Sequence, residues 1–221
     1  VCEYSRKGIK EYGEVFDLCN RILSECTDSN IRYKAIETLG IAYDYADKDA
    51  DVFPFDSEHG THVAGTVAAV NNNGVGVCGV AGGSGKGDGV RIISCQIISD
   101  GGAASASDTA KAIEYAADRG ACVLQCSWGF GAGQIANDSA FENGSTSVEL
   151  EAFMYFMETK NNPNLEGGLI IFAAGNDTAT LPGYPAAYEP CVAVAAMSPA
   201  ALPTYYTDHG IGTDIMAPGG E

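Results

Sequence analysis

At 221 residues the chain has the length of one large α/β domain. With 46% hydrophobic residues, 28 glycines and 19% charged residues, it has a folded globular composition, which excludes a disordered or fibrous protein. A formal net charge of −17, from 12 basic against 29 acidic residues, removes nucleic acid and anionic lipid from the expected partners, because a polyanion repels both.

No apolar run reaches transmembrane length, so no membrane span is expected. The chain opens at Val1, and any signal peptide would lie upstream of it. Of its eight cysteines, none has C-x-x-C spacing, which argues against a zinc ribbon or a thioredoxin motif. Cys95 and Cys122 sit inside apolar runs, where cysteine acts as a small core hydrophobe. Disulfide pairing is the alternative.

Residues 1–41 are charged and helical in period, with apolar positions at Ile9, Tyr12, Val15, Phe16, Cys19, Ile22, Leu23 and Cys26. Thr27-Asp28-Ser29-Asn30 reads as a turn and N-cap, and a second helical pattern follows through Ile31, Ala35, Ile36 and Leu39. The pair reads as a short helical N-terminal segment, faintly like a tetratricopeptide unit, and a separate interaction element is one reading of it. From residue 42 to 221 the texture is α/β alternation. Strands are predicted near 90–98, 121–127, 168–174, 191–196 and 213–217, and helices near 60–70, 106–119 and 147–160. In the last helix Leu150, Phe153, Met154 and Met157 share a face. Buried strands separated by helices predict an α/β fold: a mostly parallel central sheet with helices on both faces, after the helical N-terminal segment. Ligands of such sheets bind beyond the carboxyl ends of the strands.

The run His59-Gly60-Thr61-His62-Val63-Ala64-Gly65-Thr66-Val67-Ala68-Ala69 places a histidine at a helix start, followed by small residues that suit close packing. A lone His-Gly pair is more often a turn. Over eleven residues, however, the run closely resembles the histidine motif of the subtilisin family of serine peptidases. The resemblance implies that His59 is the general base and that His62 packs the helix.

Ala173-Ala174-Gly175-Asn176 follows the apolar strand Leu169-Ile170-Ile171-Phe172 and is similar to the family's oxyanion segment. This makes Asn176 the implied oxyanion donor, with Ala174 and Gly175 lining the cleft. Two other readings compete for Asn176: a Gly-Asn turn, and a glycosylation sequon in Asn176-Asp177-Thr178. Ser127-Trp128-Gly129 resembles the family segment whose backbone lines the substrate pocket. Asp100-Gly101-Gly102 resembles the edge that pairs with extended substrate, where glycine lets a peptide backbone approach. Tyr184-Pro185-Ala186-Ala187-Tyr188, Val192-Ala193-Val194-Ala195 and Asp214-Ile215-Met216-Ala217-Pro218-Gly219-Gly220 complete the likeness, in the family's order.

Asn71-Asn72-Asn73-Gly74-Val75-Gly76-Val77 resembles a family loop that binds calcium through backbone carbonyls and an asparagine oxygen. It implies Asn71, Asn73, Val75 and Val77 as ligands of a structural calcium ion. A polar turn is the competing reading, and no catalytic cofactor is implied.

A working triad needs a nucleophile, a base and an orienting carboxylate. The family's Gly-Thr-Ser motif is expected beyond Glu221, so a C-terminally truncated domain, inactive by itself, is expected here. Gly144-Ser145-Thr146-Ser147 reads instead as a loop and helix cap. Asp28 has the family's spacing to His59, but Asn30 replaces the glycine of that motif and a helix N-cap explains Asp28 equally well. The acidic stretch Asp44, Asp47, Asp49, Asp51 and Asp56 resembles the variable surface loop that leads into the histidine motif. The resemblance thus implies a serine endopeptidase acting on polypeptide, secreted or at the cell surface, and expected to be a monomer. The alternative is a catalytically inactive subtilase-like domain that holds peptide without cutting it.

Overall fold

The computed structural model describes residues 31, 42–46, 58–99 and 102–220. Apart from Ile31, the helical reading of residues 1–41 lies outside the described residues, as do Asp28, Asp47, Asp49, Asp51, Asp56, Asp100 and Gly101. The chain divides into two compact units, Val1–Asp108 and Thr109–Glu221.

In the first unit β1 (Ala42–Asp44), α1 (His59–Ala68) and β2 (Ser94–Gln96) form a strand–helix–strand crossover. β1 and β2 run parallel, with Ala42 opposite Ser94 and Asp44 opposite Gln96. Parallel neighbours need a crossover of this kind, because a tight turn can join only antiparallel strands. The end of α1 is closed by the chain doubling back. Val80 N donates to Thr66 O and Ala81 N to Val67 O, each at 2.8 Å, and Gly79 N donates to Ala69 O at 2.9 Å. Last-turn carbonyls that have no partner within the helix are thereby satisfied. The return passes close enough that a Cβ on Gly79 would meet the Ala68 carbonyl carbon at 2.8 Å. β3 (Ile98–Ser99) and β4 (Gly102–Ala103) then pair antiparallel.

α2 (Ala106–Asp118) starts where Ser105 predicts. Ser105 Oγ accepts from Asp108 N at 3.2 Å and donates to Asp108 Oδ2 at 2.7 Å, a reciprocal closure of the helix start. The division between the units falls within the sequence of α2.

The second unit is built on four parallel strands in sequential order: β5 (Val123–Cys126), β6 (Leu169–Ala173), β7 (Val192–Met197) and β8 (Ile215–Pro218). They fall where the sequence predicts, and every pairing among them is parallel. Burial alternates along β6 and β7: Ile170, Phe172, Ala193 and Ala195 are buried, while Leu169 is exposed. That period-2 pattern marks one face as the deeper one, where uniformly apolar runs had suggested equal burial on both sides.

α3 (Asp138–Glu142) and α4 (Ser147–Glu158) connect β5 to β6, and α4 packs on β6. Its buried face is Glu149, Ala152, Phe153 and Phe156. Of the predicted set only Phe153 belongs to it; Met154 is exposed and Leu150 and Met157 are half-buried. The helix is turned so that Phe153 meets Phe172, edge-on to that ring at 5.7 Å. Each fully buried phenylalanine contributes on the order of 1.5–3 kcal/mol, so the aromatic face wins over the methionines. Thr146 takes the N-cap position, but its hydroxyl donates to Phe141 O at 2.9 Å rather than capping the helix. The short α3 escapes the sequence reading although Asn137 signals it: its Oδ1 accepts from Ala140 N at 3.0 Å.

Cys126 and Cys191 are buried and Cys95 and Cys122 half-buried, as small hydrophobes are, whereas Cys78 is exposed. Burial pushes Cys95 and Cys191 up to about 12. Burial also pushes the Glu149 carboxyl from its ordinary 4.5 up to about 7, so the folded chain binds that proton more tightly than the unfolded chain does. The resulting stability is fully present below pH 4.5 and is lost as the pH rises through about 7. Glu149→Gln is therefore expected to melt like the wild type below pH 4.5 and at a higher temperature than the wild type above pH 7. Parallel melting temperatures for the two chains across that range would show that Glu149 is not held in this way.

Candidate active site

β5 and β6 are neighbours in parallel register, with Cys126 opposite Phe172. The segments that leave their carboxyl ends, Ser127-Trp128-Gly129 and Ala174-Gly175-Asn176, therefore emerge side by side at one edge of the sheet. They are tied together in the second unit. Phe130 N donates to Tyr184 O at 2.7 Å, Gly183 N to Ala174 O at 2.9 Å, and Ala132 N to Asp177 Oδ2 at 2.9 Å. A Cβ on Gly129 would meet Tyr184 O at 2.9 Å, so glycine is what allows this approach. The Trp128 indole turns toward the core, stacking on Phe153 at 6.3 Å and meeting Phe172 edge-on at 5.2 Å. It anchors the strand end, and the backbone beside it lines the edge. Ser127 is exposed, and its hydroxyl accepts from Gln125 Nε2 at 2.8 Å.

Ala174 is buried, its N–H given to Val194 O at 2.9 Å. Asn176 is exposed, and its carboxamide makes no hydrogen bond to the described residues. The loop that carries it is fastened from below. Asp208, 0% exposed, accepts from Asp177 N and from Ala179 N through Oδ1, each at 2.8 Å. Its own N–H donates to Gly175 O at 3.0 Å. A neutral amide held on a rigid turn past a strand end, with both N–H bonds available, can donate to an oxygen on which negative charge develops. Nothing at the sequence level singles out Asp208, because its partners are backbone groups on a distant loop.

In the first unit His59 is the first residue of α1 and is exposed. His62 is exposed as well, which corrects its assignment to helix packing. α1 buries none of its residues, and a Cβ on Gly60 or Gly65 would meet nothing within 4 Å, so close packing does not explain these glycines. Asp44 corrects a second expectation. It is not part of a surface loop but ends β1, 1% exposed, and its Oδ1 accepts from Ala46 N at 2.7 Å. The short strand was missed because only three residues pair, too few for an alternation to register against the acidic residues that follow. Gly102 opens β4, exposed, at φ +122.

The loop from Asn71 to Val77 is a chain of turns in which Asn72, Gly74 and Gly76 are left-handed, at φ 58, 71 and 63. The Asn71 Oδ1 atom is buried without a hydrogen-bond partner among the described residues. Asn73 Oδ1 accepts from Val75 N at 3.0 Å. One orphaned carboxamide oxygen in a run of turns fits a hard cation, since Asn71 and Asn73 offer oxygen donors with backbone carbonyls available beside them.

The family model described as the Subtilase family matches residues 27–221. Halolysin of Haloferax mediterranei is 36% identical over 179 residues, covering 80% of this chain and 30% of that protein. The halolysin-like extracellular serine protease Nep of Natrialba magadii is 32% identical over 180 residues, covering 80% of this chain and 28% of that protein. Among solved structures, a mutant of the protease domain of PatA matches with a TM-score of 0.55 at 28% identity, covering 75% of this chain and 54% of that one. The chain thus spans about a third of the length of these curated relatives.

Gly175 is the tightest point of the loop. It sits at φ +123, and a Cβ there would run into Asp208 Oδ2. Gly175→Ala is expected to destabilise the fold by about 1–3 kcal/mol, read from urea unfolding. Wild-type stability in that variant would mean that Asp208 does not lie under the turn.

Proposed function

This chain belongs to the subtilase family, and we propose that it supplies the base, the oxyanion donor and the substrate cleft of a secreted serine endopeptidase. The observation that carries this reading is the exposed Asn176 carboxamide, free on a fastened turn beside Ser127–Gly129. In the reaction a serine attacks the scissile carbonyl of a polypeptide. His59 takes the serine proton and returns it to the leaving amine, while Asn176 and a backbone N–H stabilise the oxyanion. No serine of this chain is assigned as nucleophile; Ser147 opens α4. Ser127, Trp128, Gly129, Ala174 and Gly175 are assigned to substrate binding, as are Gly101 and Gly102, whose backbone would pair with extended substrate. Secretion is inferred from relatives named as extracellular proteases.

We take Asp44, as well as Asp28, as a candidate for the orienting carboxylate: Asp28 has the family's spacing to His59, and Asp44 has the burial. A carboxylate that holds an imidazole in one tautomer works best shielded from water. Asp44 is buried at the carboxyl end of a parallel strand, in the unit that also holds His59. We further assign a structural calcium ion to Asn71, Asn73 and the carbonyls of Val75 and Val77. It would take up the buried Asn71 Oδ1, which has no hydrogen-bond partner among the described residues. Chelation is expected to lower the melting temperature and calcium, but not sodium, to restore it; no response to chelator would end this assignment.

In the full-length protein a fluorophosphonate probe is expected to label a serine, and His59→Ala to abolish labelling. Asn176→Ala is expected to lower kcat about 10²–10³-fold with KM little changed, a magnitude that comes from the asparagine of a subtilisin itself and not from this chain. The orienting carboxylate is identified by which of Asp44→Asn and Asp28→Asn lowers kcat on the order of 10³–10⁴-fold, as its loss does in such triads. A folded full-length protein that takes no label would instead be a peptide-binding domain.

A further inference from the structure

Asp208 lies outside every motif of the proposed reaction, yet it is a fully buried carboxylate surrounded by the loop that carries Asn176. Removing a carboxylate from water is costly unless its oxygens are paired. Here Oδ1 takes two N–H bonds, from Asp177 and Ala179, at 2.8 Å each. Oδ2 is buried with no hydrogen-bond partner among the described residues. It sits where a side chain on Gly175 would fall.

The platform beneath is itself tied down. Thr207 Oγ1 accepts from Ala196 N of β7 at 2.9 Å and donates to Asp208 O at 3.1 Å. The two loops are fastened along their length. Thr178 N donates to Tyr206 O at 3.1 Å and Thr178 Oγ1 to Tyr205 O at 3.1 Å. His209 N donates to Ala179 O at 3.0 Å. The bonds bracket Asn176 on both sides, through Gly175 O and Asp177 N, and leave its carboxamide free.

We infer that Asp208 is a positioning residue: its buried carboxylate holds the Gly175–Ala179 turn in the one conformation that aims the Asn176 amide at the reacting oxygen. The inference rests on the oxyanion role of Asn176 proposed above. The physical case is preorganisation. An amide that must be ordered as charge develops contributes less than one already in place, and displacing a catalytic group by about 1 Å costs on the order of a hundredfold in rate. Bonds to an ionised acceptor are roughly twice as strong as neutral ones. One carboxylate oxygen can therefore hold two amides of the same turn, those of Asp177 and Ala179, where a neutral side chain would hold them loosely.

The test compares Asp208→Ala, Asp208→Asn and Asn176→Ala in the full-length enzyme. kcat and KM are measured per active site titrated with fluorophosphonate, and amide exchange is followed in residues 175–180 and, as a control, 192–197. Titration removes molecules that have merely unfolded, so a purely stabilising role would leave kcat unchanged. Asp208→Ala is expected to lower kcat about ten- to a hundredfold, with KM held within about twofold and exchange accelerated at Asp177 and Ala179 but not in β7. Asp208→Asn keeps an acceptor without its charge and is expected to fall between wild type and Ala on both measures. Should the Ala variant fail to fold, the Asn variant decides alone, and wild-type kcat and exchange in it overturn the inference. A loosened loop with unchanged kcat overturns it too, leaving Asp208 structural. If Asn176→Ala itself has no effect on kcat, the oxyanion reading fails, and the catalytic part of this inference fails with it, whatever Asp208 does to the loop.

Discussion

The parallel register that sets Cys126 opposite Phe172 governs the second unit. Parallel neighbours send their carboxyl ends to the same edge, so the segments after β5 and β6 must leave together. Short bonds such as Phe130 N to Tyr184 O at 2.7 Å can then lace them into one surface. The same register puts Phe172 beneath the rings of Trp128 and Phe153. Aromatic pairs of this geometry add about 0.5–1.5 kcal/mol beyond their buried area. The core that stabilises the sheet is thus also the anchor of the strand end proposed to line the cleft.

A rigid edge alone would leave the β6–β7 connection loose, because it holds no regular helix between Ala173 and Val192. Its order comes from side chains instead. Asp208 holds the turn after Ala174, and farther along the rings of Tyr184 and Tyr188 each lie 5.3 Å from Phe141. Tyr184 OH donates to Asp138 Oδ1 at 2.6 Å. α3 is therefore more than a connector: it is the post against which the segment beyond Asn176 is braced.

The first unit divides its polar residues by exposure. His59 is exposed at a helix start, whereas Asp44 is sealed at a strand end. An orienting carboxylate works through a hydrogen bond that water would weaken, and a base works only where its proton donor can reach it. Opposite burial of the two residues is what the roles proposed for them require.

Much of this was legible in the amino-acid sequence. Periodicity located β5 to β8 and α2, since apolar runs bounded by glycine are local signals, and the eleven residues from His59 identified the family, because chance agreement over so long a run is improbable. Only the tertiary structure decided the rest. Which face of α4 is buried depends on Phe172, far away in the chain, so Met154 could not be known to lie outside. Asp44 among acidic neighbours looked like surface until β2 paired with its strand. Asp208 has no motif at all, because what it binds is backbone N–H, a group every residue but proline carries; its meaning lies wholly in which loop the fold lays over it.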